Sequence, residues 1–74
     1  MKIYNIGIIG CGSIAAKMAA TLGGMKGVKR YAVASRTVEK AKAFAEKWQF
    51  TKAYGSYEEL ASDAEVDLIY IATP

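Results

Sequence analysis

The spacing of apolar residues changes period several times along the chain. Residues 2–9 (KIYNIGII) are rich in β-branched side chains and almost continuously apolar, as in a strand that is covered on both faces of a parallel sheet. After a Gly-Cys-Gly turn the period lengthens to that of a helix, which begins at Ser13 and ends at Gly23 and Gly24. One face of this helix is marked by Ile14, Ala15, Met18, Ala19 and Leu22.

A second strand and a second helix follow in the same order. Residues 28–35 (VKRYAVAS) form the next β-branched run. Thr37 is placed as the N-cap of a helix that carries Glu39 in its first turn, where a carboxylate is favourable. The apolar face of this helix comprises Val38, Ala41, Phe44, Ala45 and Trp48. We therefore expect an amphipathic helix that packs on a sheet.

The last third of the chain carries shorter elements. Residues 52–54 predict a short third strand, and Ser56-Tyr57-Glu58-Glu59 has the spacing of a capping box at the start of a short third helix. Residues 66–72 (VDLIYIA) are another mostly apolar run, and the proline that soon follows cannot donate to a sheet ladder. A fourth strand is expected there.

This alternation of strands and helices predicts an α/β fold. Strand, helix, strand, helix, short strand, helix and strand in sequence imply a parallel sheet with right-handed crossovers. The fold class is a Rossmann-type, doubly wound parallel sheet, present in part with about four strands and three helices. The strand at residues 66–72 is expected to leave an unpaired apolar edge.

Composition and charge narrow the function without naming it. The chain has 74 residues, 53% of them hydrophobic and 23% charged, which excludes a disordered or collagen-like protein and allows at most one small domain. The net charge of +3 is scattered rather than gathered into a basic stripe, so an anionic small molecule is expected and nucleic acid is not. No apolar run approaches a membrane span and no signal peptide is evident, so we expect a cytoplasmic protein.

The short motif after the first strand carries the candidate chemistry. Gly10-Cys11-Gly12-Ser13-Ile14-Ala15 fits G-x-G-x-x-A between a buried-type strand and a helix, the context that this motif requires. The first glycine permits the tight turn, and the second lets the backbone approach a pyrophosphate. The helix N-terminus then presents N–H groups and a partial positive charge to phosphates. The cofactor-binding residues predicted here are Gly10, Cys11, Gly12, Ser13 and Ile14.

The end of the second strand indicates which dinucleotide is bound. In sites that prefer NAD, an acidic residue at this position accepts hydrogen bonds from the ribose hydroxyls. This chain has Ser35 and Arg36 instead, with Lys40 one helical turn later. A guanidinium can bind a 2′-phosphate through charge-assisted hydrogen bonds and can stack on adenine, and cations are otherwise unfavourable at a helix N-terminus. We predict NADP as the cofactor, with NAD or dual use as the alternative.

Several other side chains are interpreted as structural. Cys11 is the only cysteine and there is no histidine, which leaves no disulfide, no metal site and no base to activate the thiol. Tyr54 and Tyr57 are expected to be half-buried packing residues rather than general acids, and Trp48 to be a core anchor. No catalytic residue is predicted in this chain.

Three stretches together resemble a known family. IGIIGCGSIAAKM, AVASRTVEKAKAFAEKW and AYGSYEELASDAEVDLIYIATP are similar to the N-terminal domain of the Gfo/Idh/MocA oxidoreductases, over essentially all 74 residues. Through Ser35, Arg36 and Lys40 the resemblance is greatest to the NADP-using branch that contains dihydrodiol dehydrogenases and some aldose dehydrogenases. It implies that Thr73 and Pro74, with Ala72 before them, begin the stretch that passes under the nicotinamide half of the cofactor.

The resemblance also implies what the rest of such a protein does. Residues 1–74 would be the N-terminal part of a NAD(P)-binding Rossmann domain, and the catalytic lysine of a Glu-Lys-Pro motif and the substrate domain would lie outside this chain. The parent would transfer hydride between the cofactor and a sugar, polyol or diol, assemble as a homo-oligomer, and bind neither nucleic acid nor membrane. Residues 1–74 alone are not expected to catalyse this hydride transfer. A regulatory nucleotide-sensing module remains the alternative, and a methyltransferase or flavin enzyme is disfavoured by Ser35 and Arg36.

Overall fold

A computed structural model of the chain describes residues 2–72 and contains the predicted elements in the predicted order. The strands are β1 (Tyr4–Ile9), β2 (Val28–Ala34), β3 (Lys52–Tyr54) and β4 (Leu68–Ile71), and the helices are α1 (Ser13–Gly23), α2 (Val38–Trp48) and α3 (Tyr57–Ala61). The α/β prediction is confirmed, although β1 and β4 each start two residues later than the apolar runs do. Within these residues no helix is both long enough and apolar enough to cross a membrane.

The four strands form one sheet in the order β3-β2-β1-β4, and every pairing is parallel. The register of β1 on β2 shifts from Ile6 opposite Arg30 to Gly7 opposite Ala32, so Tyr31 is an extra residue in β2. Because the strands are parallel, their carboxyl ends meet at one edge of the sheet. This edge is where ligands bind in open α/β sheets.

The two faces of the sheet bury separate groups of side chains. One face packs β1 and β2 against α1 and α2, with a core of Ile6, Ile8, Ala15, Ala19, Leu22, Val33, Phe44, Ala45, Phe50 and Ala72. The opposite face packs β2 against α3, with a core of Tyr31, Ala32, Ala34 and Leu60. Helices on both faces make the sheet doubly wound, as expected.

Helix α1 buries a narrower face than its spacing predicts. Ala15, Ala19 and Leu22 are buried, whereas 48% of Ile14 is exposed. Successive residues of a helix lie about 100° apart around its axis, so with Ala15, Ala19 and Leu22 toward the sheet the position of Ile14 is turned outward. The β-branched residue at the start of the apolar spacing is therefore not part of the core.

The two predicted N-caps differ in the structure. Ser56 caps α3 as predicted, since its Oγ accepts the Glu59 N–H at 3.2 Å and donates to Glu59 Oε1 at 3.0 Å. Thr37 is the N-cap residue of α2, but its side chain makes no capping hydrogen bond. Its own N–H donates instead to Ser35 Oγ at 3.4 Å. The capping of α2 thus involves the end of β2.

A polar cluster ties the loop after α3 to the β3 edge of the sheet. The Tyr54 hydroxyl donates to Asp63 Oδ2 at 2.5 Å, the Glu65 N–H donates to Asp63 Oδ1 at 2.9 Å, and Lys52 Nζ lies 3.6 Å from Asp63 Oδ2. The Asp63 side chain is 6% exposed. The hydroxyl of Tyr54, followed by the N–H of Glu65, lowers the pKa of Asp63, and the same contact raises the pKa of Tyr54.

This cluster predicts a pH-dependent contribution to stability. A carboxyl whose pKa is lower in the folded state stabilises the fold above its unfolded pKa of about 3.9, and the contribution is lost as the pH falls through the folded value. Asp63→Asn should therefore lower the urea midpoint at about pH 7 and make progressively less difference on the way to about pH 2. Glu46→Gln, at an exposed carboxyl on α2, is the matched control, and an equal effect of both variants would contradict the assignment.

Candidate functional site

A cleft of about 660 Å³ opens at the edge where the carboxyl ends of the strands meet. It is lined by Gly10, Cys11, Gly12, Ser35, Arg36, Thr37, Lys40, Tyr57 and Ala72. The turn after β1, the end of β2, the start of α2, the start of α3 and the residue after β4 thus border one space. Seven of these lining residues belong to the set predicted from the sequence.

The glycine turn joins β1 to α1 in the geometry that the motif implies. Gly10 has φ 112°, a left-handed conformation that favours glycine, and its N–H donates to the Ala34 carbonyl at 2.8 Å. Gly12 is the N-cap of α1, and its carbonyl accepts the Ala16 N–H at 3.0 Å. The N–H groups of the first helical turn have no partner within the helix, so they are available to a ligand at the cleft.

The fold of the described residues does not require a glycine at position 12. Its φ of −85° and ψ of −166° are in the extended region that other residues adopt, so the backbone does not require glycine. A Cβ at this position would meet no atom within 4 Å among the described residues beyond its immediate chain neighbours. The open space in front of Gly12 is therefore free for the close approach of a ligand, and a pyrophosphate fits that requirement.

The end of β2 and the start of α2 supply positive charge. Ser35 donates its N–H to the Tyr54 carbonyl at 3.1 Å, which fixes the strand end, and the exposed Arg36 and Lys40 follow at the cleft. Among residues 2–72 the only ion pair joins Lys52 and Asp63, so neither of these two cations is neutralised by a carboxylate there. Such a pair of cations suits a phosphate group.

Cys11 lines the cleft as a half-buried thiol. Burial raises its pKa above the usual value, and the opposing effects of a hydrogen bond with Ser35 and of the positive charge of Lys40 are smaller. A raised pKa keeps the sulfur protonated and therefore poorly nucleophilic. This agrees with the interpretation of Cys11 as a small side chain that fits the turn.

Two of the predicted cofactor-binding residues, Ser13 and Ile14, do not line the cleft in the described part of the chain. Ser13 lies in an adjoining groove of about 440 Å³ between α1 and α2, which shares Cys11, Gly12 and Lys40 with the cleft. Ile14 is exposed and borders neither space. The two remaining predictions, Thr73 and Pro74, lie outside the described residues.

Trp48 both packs on the core and lines the groove beside the glycine turn. Its ring packs on Phe44, with ring centroids 6.3 Å apart, and it contacts the larger core, as expected for an anchor. The same side chain also lines the groove next to the glycine turn. It is the only tryptophan in the sequence, so its fluorescence can report on binding at that turn.

Two lining residues, Thr37 and Tyr57, were not predicted as part of the site. Thr37 directly follows Arg36, and its spacing indicated only a cap. Tyr57 was interpreted as packing, yet it begins the helix that follows β3. The signal that could have found it is topological, because helices that follow parallel strands all begin at the same edge of the sheet.

Among residues 2–72 no group of three or more histidine, cysteine, aspartate or glutamate side chains is placed to hold a metal ion. The chemistry that the cleft offers consists of backbone N–H groups, two cations, hydroxyls and one aromatic ring. Groups of this kind can bind and orient an anionic nucleotide.

Comparison with protein families and curated proteins agrees with this geometry. Residues 4–74 match the GFO_IDH_MocA model, described as an oxidoreductase family with an NAD-binding Rossmann fold. The chain is 44% identical over 69 residues to trans-1,2-dihydrobenzene-1,2-diol dehydrogenase of Mus musculus, which covers 90% of the chain and 21% of the mouse protein. It is also 35% identical over 75 residues to an uncharacterised oxidoreductase of Rhizobium meliloti, over 100% of the chain and 22% of that protein.

Solved structures show the same fold. A 3-ketoreductase from Actinomadura kijaniata, in complex with NADP, superposes with a TM-score of 0.91 at 28% identity and covers 99% of this chain and 23% of its own. Levoglucosan dehydrogenase superposes with a TM-score of 0.92 over 100% of this chain and 21% of its own, and at 22% identity this likeness concerns the fold alone. The chain thus spans between a fifth and a quarter of the length of these proteins.

Proposed function

This chain belongs to the Gfo/Idh/MocA oxidoreductase family, and from that premise we propose that its cleft binds NADP(H) in preference to NAD(H). The family match supports a nicotinamide dinucleotide, and the charge at the end of β2 selects between the two forms. When bound, the nicotinamide supplies hydride transfer. The residues of this chain hold and orient the adenosine and pyrophosphate parts of the cofactor.

The observation that carries the proposal is the bare backbone at Gly12. Neither its dihedral angles nor its neighbours require glycine, so the missing side chain is explained by a ligand that comes close to the backbone. The pyrophosphate would lie in front of Gly12, with the first-turn N–H groups of α1 as donors. Gly10 contributes by holding the turn in its left-handed conformation. Ser13 and Ile14 follow as the first residues of that helical turn.

The preference for NADP rests on Arg36 and Lys40. Both line the cleft one helical turn apart, and neither forms an ion pair within residues 2–72. A 2′-phosphate there would accept charge-assisted hydrogen bonds from the guanidinium and the ammonium group, with the Ser35 hydroxyl as a further donor. No carboxylate lines the described cleft to take the ribose hydroxyls of NAD. Ala72, Thr73 and Pro74 are proposed to continue the site toward the nicotinamide.

The activity of the whole protein is proposed from the same premise. The named relatives include a dehydrogenase of a diol and a ketoreductase crystallised with NADP, so we propose hydride transfer to or from a carbon that bears a hydroxyl, in a diol, polyol or sugar. The 69 matched residues correspond to 21% of the mouse enzyme. Substrate contacts, the proton-transferring residue and subunit association are assigned to parts of the protein beyond these residues.

Titration of the protein with NADPH and with NADH tests the cofactor assignment. Binding can be followed by quenching of Trp48, the single tryptophan beside the glycine turn. NADPH should bind about 10-fold or more tightly than NADH, since a hydrogen bond to a charged group contributes about 1.5 to 3 kcal/mol. Equal affinities would overturn the preference for NADP, and failure to bind either dinucleotide would overturn the proposed function.

A further inference from the structure

An aromatic ring borders the cleft on the side opposite the two cations. Arg36 and Lys40 belong to the start of α2, which packs on one face of the sheet, whereas Tyr57 begins α3 on the other face. In the part of the cleft formed by residues 2–72, Tyr57 is the only aromatic residue that lines it. The cleft is thus charged on one wall and aromatic on the other.

The position of the Tyr57 ring is fixed by the fold. It is half-buried and packs against the core of the α3 face. The Ser56 cap sets the start of α3, and the Gly55 backbone lies so near α2 that a Cβ there would be 3.0 Å from Val38 Cβ. This contact joins the residues just before Tyr57 to the residues just after Arg36. The starts of α2 and α3, which carry the two walls of the cleft, thus lie close together.

The chemistry of the cofactor determines what must lie between these walls. In NADP the 2′-phosphate and the adenine are attached to adjacent carbons of one ribose, so a phosphate at Arg36 and Lys40 brings the base into the same cleft. Adenine presents a flat π-face, and aromatic rings are the side chains on which bases stack. This step rests on the proposed function, since it needs the adenosine end of the cofactor to occupy the cleft.

We propose that Tyr57 is the adenine-positioning residue of this cleft, and that its ring contacts the base while Arg36 and Lys40 hold the 2′-phosphate. The contact depends on the ring and not on the hydroxyl. Because NADPH and NADH carry the same adenine, loss of the ring weakens both by the same factor. Loss of Arg36 acts on NADPH alone, so the two contributions are separable by experiment.

The test compares Tyr57→Leu, Tyr57→Phe and the wild-type protein in titrations with NADPH and NADH. Leucine retains much of the apolar volume that packs on the core but has no ring, and it should weaken both cofactors on the order of 10-fold. Phenylalanine should bind both cofactors as the wild type does. Tyr4→Leu, at an exposed tyrosine at the amino end of β1, is the matched control and should change neither affinity.

A second measurement needs no variant and so does not depend on whether Tyr57→Leu folds. In the complex of wild-type protein with NADPH, nuclear Overhauser effects should connect the adenine H2 or H8 proton with ring protons of Tyr57. Wild-type affinity of Tyr57→Leu, an equal loss in Tyr57→Phe, or absence of these contacts from the complex would each overturn the role of Tyr57. If the wild type binds neither dinucleotide, the proposed function itself fails, which is a different result.

Discussion

Gly12→Ala is expected to weaken the binding of NADPH and of NADH about 100-fold while the protein stays folded. Among residues 2–72 a Cβ at this position meets no atom within 4 Å beyond its chain neighbours, so it is tolerated there in the absence of ligand. It projects instead into the space that the pyrophosphate must enter, and overfilling a close contact costs up to about 3 kcal/mol. Isothermal titration with both dinucleotides and urea unfolding of the same samples measure the two effects separately.

Two further variants make this result specific. Gly12→Ser also adds a Cβ, but serine is favoured at an N-cap and alanine is not. This variant therefore avoids the loss of stability, about 1 kcal/mol or less, that poorer capping would cause in Gly12→Ala. Gly24→Ala, at the other end of α1, places a Cβ 3.7 Å from the Thr21 carbonyl, an ordinary contact, and should change neither binding nor fold. If Gly12→Ala binds the dinucleotides as the wild type does, the pyrophosphate does not approach the backbone at Gly12.

The features that the sequence could predict are those set by local physics. A β-branched run, a change to helical spacing and a small-residue turn between them determine β1, the glycine turn and the start of α1 within a few residues of chain. The turn at Gly10 needed a left-handed backbone, and glycine is the residue that adopts it most readily. The cap at Ser56 likewise uses groups three residues apart, and the structure forms its bond from the Glu59 N–H to Ser56 Oγ.

The features that the sequence could not predict depend on how elements meet in three dimensions. Whether Ile14 or Ala15 faces the sheet depends on how α1 is rotated about its own axis against the sheet, which spacing along one helix does not reveal. Tyr57 enters the cleft because α3 starts at the same edge of the sheet as α1 and α2. The extra residue at Tyr31 is likewise a property of the pairing between two strands.

The strand at the apolar edge of the sheet, β4, has one feature that the sequence predicted and one that depends on tertiary packing. The run at residues 66–72 predicted a strand with an unpaired edge, and β4 is indeed the terminal strand of the described sheet, with Leu68 and Ile71 well exposed. In the runs of β1 and β2, similar apolar residues are buried on both faces. The difference arises from position in the sheet, because helices cover the faces of β1 and β2, whereas the extensive contacts of β4 among the described elements are with β1.

Arg36→Ala is expected to weaken the binding of NADPH about 10-fold to 150-fold and to leave the binding of NADH nearly unchanged. The guanidinium lines the cleft without an ion-pair partner among the described residues, so its removal breaks no internal contact of that kind. What is lost is a charge-assisted hydrogen bond to the 2′-phosphate, a group that NADH does not carry. Titrations of both cofactors with the same protein samples give the ratio directly.

Replacement by lysine and removal of a nearby charge separate geometry from charge. Arg36→Lys keeps the charge but not the planar two-donor fork, so its affinity for NADPH should lie between those of the wild type and Arg36→Ala. Lys42→Ala, an exposed cation on α2 outside the cleft, removes one positive charge from the same helix and should have little effect. If Lys42→Ala weakened NADPH as much as Arg36→Ala did, or if Arg36→Ala weakened both cofactors equally, the 2′-phosphate would not be bound at Arg36. General attraction between a cationic protein and an anion, or a contact with the part of the cofactor that both forms share, would then account for the binding.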